Sequence, residues 1–102
     1  MANRRSQVSD ELVAQRGYRI TGRVQRVAFR AWTREVAEEI GLTGTVRNRP
    51  DGSVEVHAAG SVAQLDKLLA HLWEGPWASR VDEVEVIESR KELPDNSFLI
   101  LY

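Results

Sequence analysis

Polar and apolar residues alternate through Tyr18, Arg19, Ile20, Thr21, Gly22, Arg23 and Val24, the two-residue period of a strand with one buried face. At Phe29 the period lengthens. Phe29, Trp32 or Thr33, Val36 and Ile40 recur at three- and four-residue spacing and stop at Gly41, a residue suited to the left-handed end of a helix. The spacing predicts a helix over 29–40. GLTGTVRNRPDGSVEVHAAG, residues 41–60, then reads as two short strands about a turn: Pro50 presets φ, Asp51 closes an Asx-type bond and Gly52 takes a left-handed conformation. Val54, Val56 and Ala58 share one face and Glu55 and His57 the other, so His57 is expected at the surface.

Ser61 followed by Gln64 has capping-box spacing, and Val62, Leu65, Leu68, Leu69 and Leu72 form the apolar stripe of a second helix that ends near Gly75 and Pro76. His71 falls off that stripe and is expected to be exposed. Trp32, Trp73 and Trp77 lie on or near helix ends and are expected in the core or at its edge. RVDEVEVIES (80–89) alternates again, and NSFLILY (96–102) is a short apolar strand that needs a neighbour. The order is strand, helix, strand, strand, helix, strand, strand. It predicts an α+β fold, a ferredoxin-like βαββαβ sandwich with a short additional C-terminal strand and two helices on one face of a mainly antiparallel sheet. Residues 1–16 are polar and weakly periodic, and read as a flexible leader with a frayed helical turn around Glu11 to Ala14, ahead of one domain at 17–102.

Composition narrows the function. The chain has 102 residues, 42% hydrophobic, enough for one core. A net charge of −1 excludes a globally basic nucleic-acid binder, but that sum conceals polarity. Residues 23–49 hold six arginines against three glutamates, a local charge of +3, whereas residues 50–102 hold four cations against ten acids, −6. An anionic ligand therefore prefers the first segment. With no cysteine and two histidines, disulfides, thiolate metal sites and cysteine nucleophiles are excluded, and neither a metal nor a cofactor is expected. No apolar run approaches the roughly 20 residues that span a bilayer, and the N-terminus lacks the apolar stretch of a signal peptide. The expectation is a cytoplasmic monomer with no membrane or nucleic-acid partner. RNA-binding sandwiches stack bases on strand aromatics, and the third strand offers Val54, Glu55, Val56 and His57 instead.

In the predicted fold the first and third strands are central neighbours, so GRVQRVAFR (22–30) meets VRNRPDG (46–52). Gln25, Arg26, Val27, Ala28 and Phe29 lead into a helix N-terminus, whose unpaired amides and positive dipole end favour an anion. Arg30 adds a planar fork that matches two phosphate oxygens. On pattern alone these arginines read more readily as solvated or structural charges than as a phosphate site, as Arg23 and Arg34 do. Arg47 and Arg49 flank the hairpin and steer anions over a distance, and Asn48 is either a turn former or a site residue.

GRVQRVAFR is similar to the acylphosphatase signature G-x-V-Q-G-V-x-F-R, and GTVRNRPDGSVEVHAAG to that family's second signature, G-x-V-x-N followed by x-x-x-G-x-V and a further glycine. The resemblance runs from about Tyr18 to the C-terminus. It implies the same sandwich and the hydrolysis of acyl phosphates to a carboxylate and inorganic phosphate. It also implies that the loop amides of Gln25, Arg26, Val27, Ala28 and Phe29 cradle phosphate, that Arg30 binds it and that Asn48 orients the attacking water. A non-catalytic phosphate- or nucleotide-binding module is the alternative.

Two residues depart from the signatures. Thr45 stands where an aromatic is frequent, and Arg26 replaces a glycine. The expectation is an ordinary backbone at Arg26, with its side chain pointing to solvent or adding a second cation at the rim. A positive φ there would strain the cradle by about 1–3 kcal/mol.

Overall fold

The computed structural model describes residues 12–102. Seven elements follow in the expected order: β1 (Ala14–Arg23), α1 (Phe29–Ile40), β2 (Thr43–Asn48), β3 (Val54–Gly60), α2 (Val62–Glu74), β4 (Arg80–Ile87) and β5 (Phe98–Leu101). They form one five-stranded sheet in the order β4-β1-β3-β2-β5. All pairings are antiparallel except β2 with β5. This is the ferredoxin-like sandwich with one added edge strand. β1 opens at Ala14 and pairs Ala14, Gln15 and Arg16 with Gly60, Ala59 and Ala58, so the sheet begins ahead of the expected boundary at residue 17. Of the helical turn expected around Glu11 to Ala14, Glu11 lies outside the described residues and Ala14 belongs to the strand.

The two periods of the sequence meet in one core. Tyr18 and Ile20 of β1 face Val56 and Val54 of β3 in register. These four are buried with Val84, Phe29, Leu65, Leu68 and Leu72. The Tyr18 hydroxyl, buried with its ring, donates to the Leu65 carbonyl oxygen at 2.8 Å, so its polar end is not orphaned. α2 starts on the reciprocal box expected of its sequence: the Gln64 amide donates to Ser61 Oγ at 3.1 Å, and the Ser61 amide to Gln64 Oε1 at 2.8 Å.

His57 departs from expectation. It sits on the sheet face away from the helices, yet only 4% of it is exposed. Its Nδ1 lies 2.6 Å from Ser89 Oγ and its Nε2 2.6 Å from Glu55 Oε2. Gly17 across the ladder makes this possible, because a Cβ there would stand 3.1 Å from the ring and 2.8 Å from Ile87 Cγ1. The tryptophans depart in the other direction. Trp32 packs against the core, but Trp73 is about half exposed and Trp77 almost wholly exposed, because Trp77 falls in the turn after α2 and no element covers it.

Candidate active site

Because β1, β2 and β5 run in the same direction, their C-terminal ends gather at one end of the sheet, beside the N-terminal end of β3. The loop 24–28 closes over this end. Val24 and Phe29 are buried and Val27 packs against the core, whereas Arg26 and Ala28 are exposed. The loop is thus pinned by three apolar side chains. Phe29 is fixed further by an edge contact with Trp32, with centroids 5.4 Å apart.

Two of the exposed positions have a left-handed backbone. Ala28, the residue capping α1, has φ 60° and ψ 29° and offers no side-chain cap, and Arg26 has φ 63°. The expectation of an ordinary backbone at Arg26 is therefore overturned. A non-glycine residue in this region costs roughly 1–2 kcal/mol, which accounts for the glycine in the signature. None of the amides of residues 25–31 donates to a backbone carbonyl among the described residues. Consecutive unpaired N–H groups on a backbone that turns left-handed form a concave anion site.

The hairpin across the way carries Asn48. Asp51 Oδ1 accepts from both the Ser53 amide (2.9 Å) and the Ser53 hydroxyl (2.6 Å), and Gly52 takes φ 94°, so the turn forms as expected. The Asp51 carboxyl is held well below the usual carboxylate range, first by the Ser53 hydroxyl and amide and then by Arg19, whose Nη2 lies 2.7 Å away. Gln25 couples this hairpin to the loop. Its Nε2 donates to the carbonyl oxygens of Arg49 and Ser53, each at 2.8 Å. The sequence placed Gln25 in the cradle; its side chain holds the cradle rather than lining it.

A cavity of about 160 Å³ opens between these parts, lined by Val24, Arg26, Ala28, Phe29, Arg30, Ala31, Asn48, Ile100 and Tyr102. Arg30 and Asn48 thus meet in one cavity with the exposed half of the loop. The Oδ1 of Asn48 is shielded from solvent with no hydrogen-bond partner in the described structure, an arrangement costly in a folded protein unless a ligand or water uses it. Arg30 Nη1 donates to the Leu101 carbonyl oxygen at 3.2 Å, and its guanidinium lies 4.7 Å from the Tyr102 ring centroid, a cation–π distance. Ile100 and Tyr102 escaped the sequence reading. Their place follows from the parallel register of Arg47 with Leu101, which no local pattern announces.

Arg23, Arg34 and Arg47 are exposed, and none lines the cavity. Arg49 Nη1 is 3.0 Å from Glu55 Oε1, which ties it to the outer sheet face. Among the described residues no group of three or more His, Cys, Asp or Glu is placed to hold a metal ion. No helix among them is long and apolar enough to cross a membrane.

Arg30 and Asn48 thus share one small cavity with the loop before α1, at one end of a ferredoxin-like sandwich. The chain belongs to the acylphosphatase family, whose sequence model matches residues 16–100. It is 49% identical over 85 residues to an acylphosphatase of Koribacter versatilis, covering 83% of this chain and 77% of that one. The crystal structure of acylphosphatase from Bacillus subtilis superimposes with a TM-score of 0.81 at 34% identity, covering 89% of this chain and all of that one. An acylphosphatase structure from Coxiella burnetii gives 0.80 at 35% identity, over 87% and 93% of the two chains.

Proposed function

We propose that this acylphosphatase-family hydrolase cleaves acyl phosphates in the Arg30–Asn48 cavity. The observation that carries the reading is that Arg30 and Asn48, far apart in sequence, line the same small cavity as the loop before α1. An acyl phosphate is a mixed anhydride whose leaving group is a carboxylate, stable as an anion near neutral pH, so no strong general acid is required. What remains is to bind phosphoryl charge and to place a water in line, the two tasks that dominate phosphoryl transfer.

Each task has a residue suited to it. Arg30 and the amides of the 25–29 loop take the phosphoryl oxygens, with the guanidinium held by Leu101 and Tyr102. The Asn48 carboxamide hydrogen-bonds the attacking water and turns the water's lone pair towards phosphorus. The water oxygen bonds to phosphorus as the bond from phosphorus to the acyl oxygen breaks, the carboxylate leaves with the electron pair, and the water's proton passes to a phosphoryl oxygen. The site supplies electrostatics and position, and the chemistry asks for no metal. The cavity is far smaller than the roughly 300–1,000 Å³ of drug-sized sites, which suits a small-molecule substrate. We place the reaction in the cytoplasm, on a monomer with no nucleic-acid partner.

Purified protein should hydrolyse benzoyl phosphate with excess chelator present, releasing benzoate and inorganic phosphate in equal amounts. A folded protein that releases neither would refute the enzymatic reading. If inorganic phosphate nevertheless raised its melting temperature in proportion to the logarithm of concentration, the cavity would be a binding module instead.

A further inference from the structure

We propose that the acyl group of the substrate carries a second anionic group, a carboxylate or a phosphate, and that the Arg26 guanidinium binds it at the mouth of the cavity. The proposal deepens the reading above and rests on the Arg30–Asn48 cavity being the reaction site. Arg26 and Arg30 are both in the cavity wall, and no carboxylate side chain shares that wall with them. Elsewhere Arg16 pairs with Asp66, Arg19 with Asp51, Arg49 with Glu55, Arg80 with Asp82 and Arg90 with Glu88, whereas Arg23, Arg34 and Arg47, exposed and without an acidic partner among the described residues, lie outside the cavity wall. Among the described residues neither Arg26 nor Arg30 has an acidic partner. The cavity therefore holds two uncommitted cations.

One of these is more than a phosphoryl group needs. A single arginine fork with the loop amides satisfies the phosphoryl oxygens. Arg26 is also two residues past the buried Val24, on the exposed side of the loop, where its side chain meets the part of a ligand that projects from the cradle. Its backbone gives a further reason. At φ 63° glycine would be unstrained, so the arginine is held there against a local cost. Strain of this kind is kept where the side chain returns something to the site. A positive side chain at a cavity mouth returns affinity for negative charge on the outer half of the ligand. The small cavity sets the separation, placing the second anion a short chain away from the phosphoryl group.

Hydrolysis-resistant phosphonates test this without turnover. Propylphosphonate ends in a methyl group, 3-phosphonopropionate in a carboxylate and ethane-1,2-diphosphonate in a second phosphonate. Calorimetry should show the wild type binding at least one of the two doubly anionic ligands about five- to tenfold more tightly than propylphosphonate, the range of a partly exposed charge-assisted contact. Which of them gains identifies the group that Arg26 reads. Arg26→Lys should retain the preference. In Arg26→Gln the ratio should fall to within about twofold of unity, and added salt should erode the wild-type ratio. Arg26→Gly, which also relieves the backbone, should lose the preference as well. Equal affinities in the wild type, a preference that survives Arg26→Gln, or no binding of any phosphonate would overturn the proposal. Intact preference without hydrolysis of benzoyl phosphate would count against the enzymatic reading and leave the Arg26 site standing.

Discussion

The Gln25 carboxamide is bonded to the Ser53 carbonyl oxygen at 2.8 Å, and the same nitrogen donates to Arg49 at 2.8 Å. These bonds join the loop before α1 to both sides of the turn that follows Asn48, so the loop and Asn48 are held at a fixed separation. Each carbonyl keeps another donor, since the Arg49 amide reaches Ser53 O and the Gly52 amide reaches Arg49 O. Gln25→Ala is therefore expected to cost only about 1 kcal/mol in stability. The loss of alignment should be larger, lowering kcat/KM for benzoyl phosphate about ten- to hundredfold, or roughly 1.4–2.7 kcal/mol of barrier. Gln25→Glu should be worse, because a carboxylate cannot donate to either carbonyl and repels the phosphoryl group. Denaturant melts beside steady-state kinetics separate the two effects. A stability loss that matches the kinetic loss would make Gln25 merely structural.

Arg30 and Asn48 should fail differently. Arg30→Ala removes the proposed phosphoryl fork and is expected to lower kcat/KM about a thousandfold and to weaken the binding of inorganic phosphate. Arg30→Lys keeps the charge without the paired donors and should still lose at least about tenfold. Asn48→Ala should lower kcat by about 100- to 1,000-fold while leaving the binding of inorganic phosphate little changed, since the proposed task of Asn48 is the water rather than the phosphoryl group. That variant also deletes a buried unpartnered atom, so its melting temperature should not fall. A stabilised but inactive Asn48→Ala would be the expected trade between function and stability.

The elements of this fold were legible wherever one local rule acted alone. Residues 29–40 form a helix with one apolar face and a glycine at its end, and the structure places α1 at Phe29–Ile40 with Gly41 left-handed. The box at Ser61 and Gln64 and the Asx turn at Asp51 are equally local. The misreadings concern tertiary contacts. Alternation put His57 on the outer face correctly, but its burial depends on the missing side chain of Gly17 one strand away. Trp77 was expected in the core or at its edge for its place near a helix end, although no element covers it. At the site, the meeting of Arg30 with Asn48 followed from fold and resemblance together, whereas Tyr102 depends on the β2–β5 register. The positive φ of Arg26 ran against the expectation because arginine itself disfavours it, and only the signature's glycine hinted at it.

Thr33 is fully buried on the inner face of α1, and its Oγ1 has no hydrogen-bond partner among the described residues. Valine has nearly the same shape without the hydroxyl. Thr33→Val is expected to stabilise the protein by about 1 kcal/mol, or about 4–8 °C in Tm for a domain near this size, with no effect on kcat. Thr33→Ala should destabilise instead, by leaving unfilled space in the core. Thermal unfolding of both variants checks the pair, and a destabilised Thr33→Val would mean that a bound water serves the hydroxyl.

Stability should fall in acid, and the carboxylates facing cations or hydroxyls set the window. Asp51 is held low by Ser53 and Arg19, and Asp82 by Arg80 at 3.0 Å. For Glu55, burial pushes the carboxyl up. The His57 hydrogen bond at 2.6 Å and the charges of His57 and Arg49 outweigh it, so the net displacement is downward. Each group binds its proton more weakly in the folded chain than in the unfolded one. The unfolded chain therefore takes up protons first as pH drops through about 4, the ordinary carboxylate range. The contribution of these groups is complete above about pH 5 and is lost progressively below about pH 4. Asp51→Asn should be less stable than the wild type at pH 7, because asparagine carries no charge for Arg19. The difference should shrink towards pH 2, because Asp51 of the unfolded chain is protonated there while the folded carboxylate still resists its proton. Urea unfolding from pH 7 to pH 2 measures the gap, and one that stays constant across that range would rule out ionised Asp51 as the anchor of the turn.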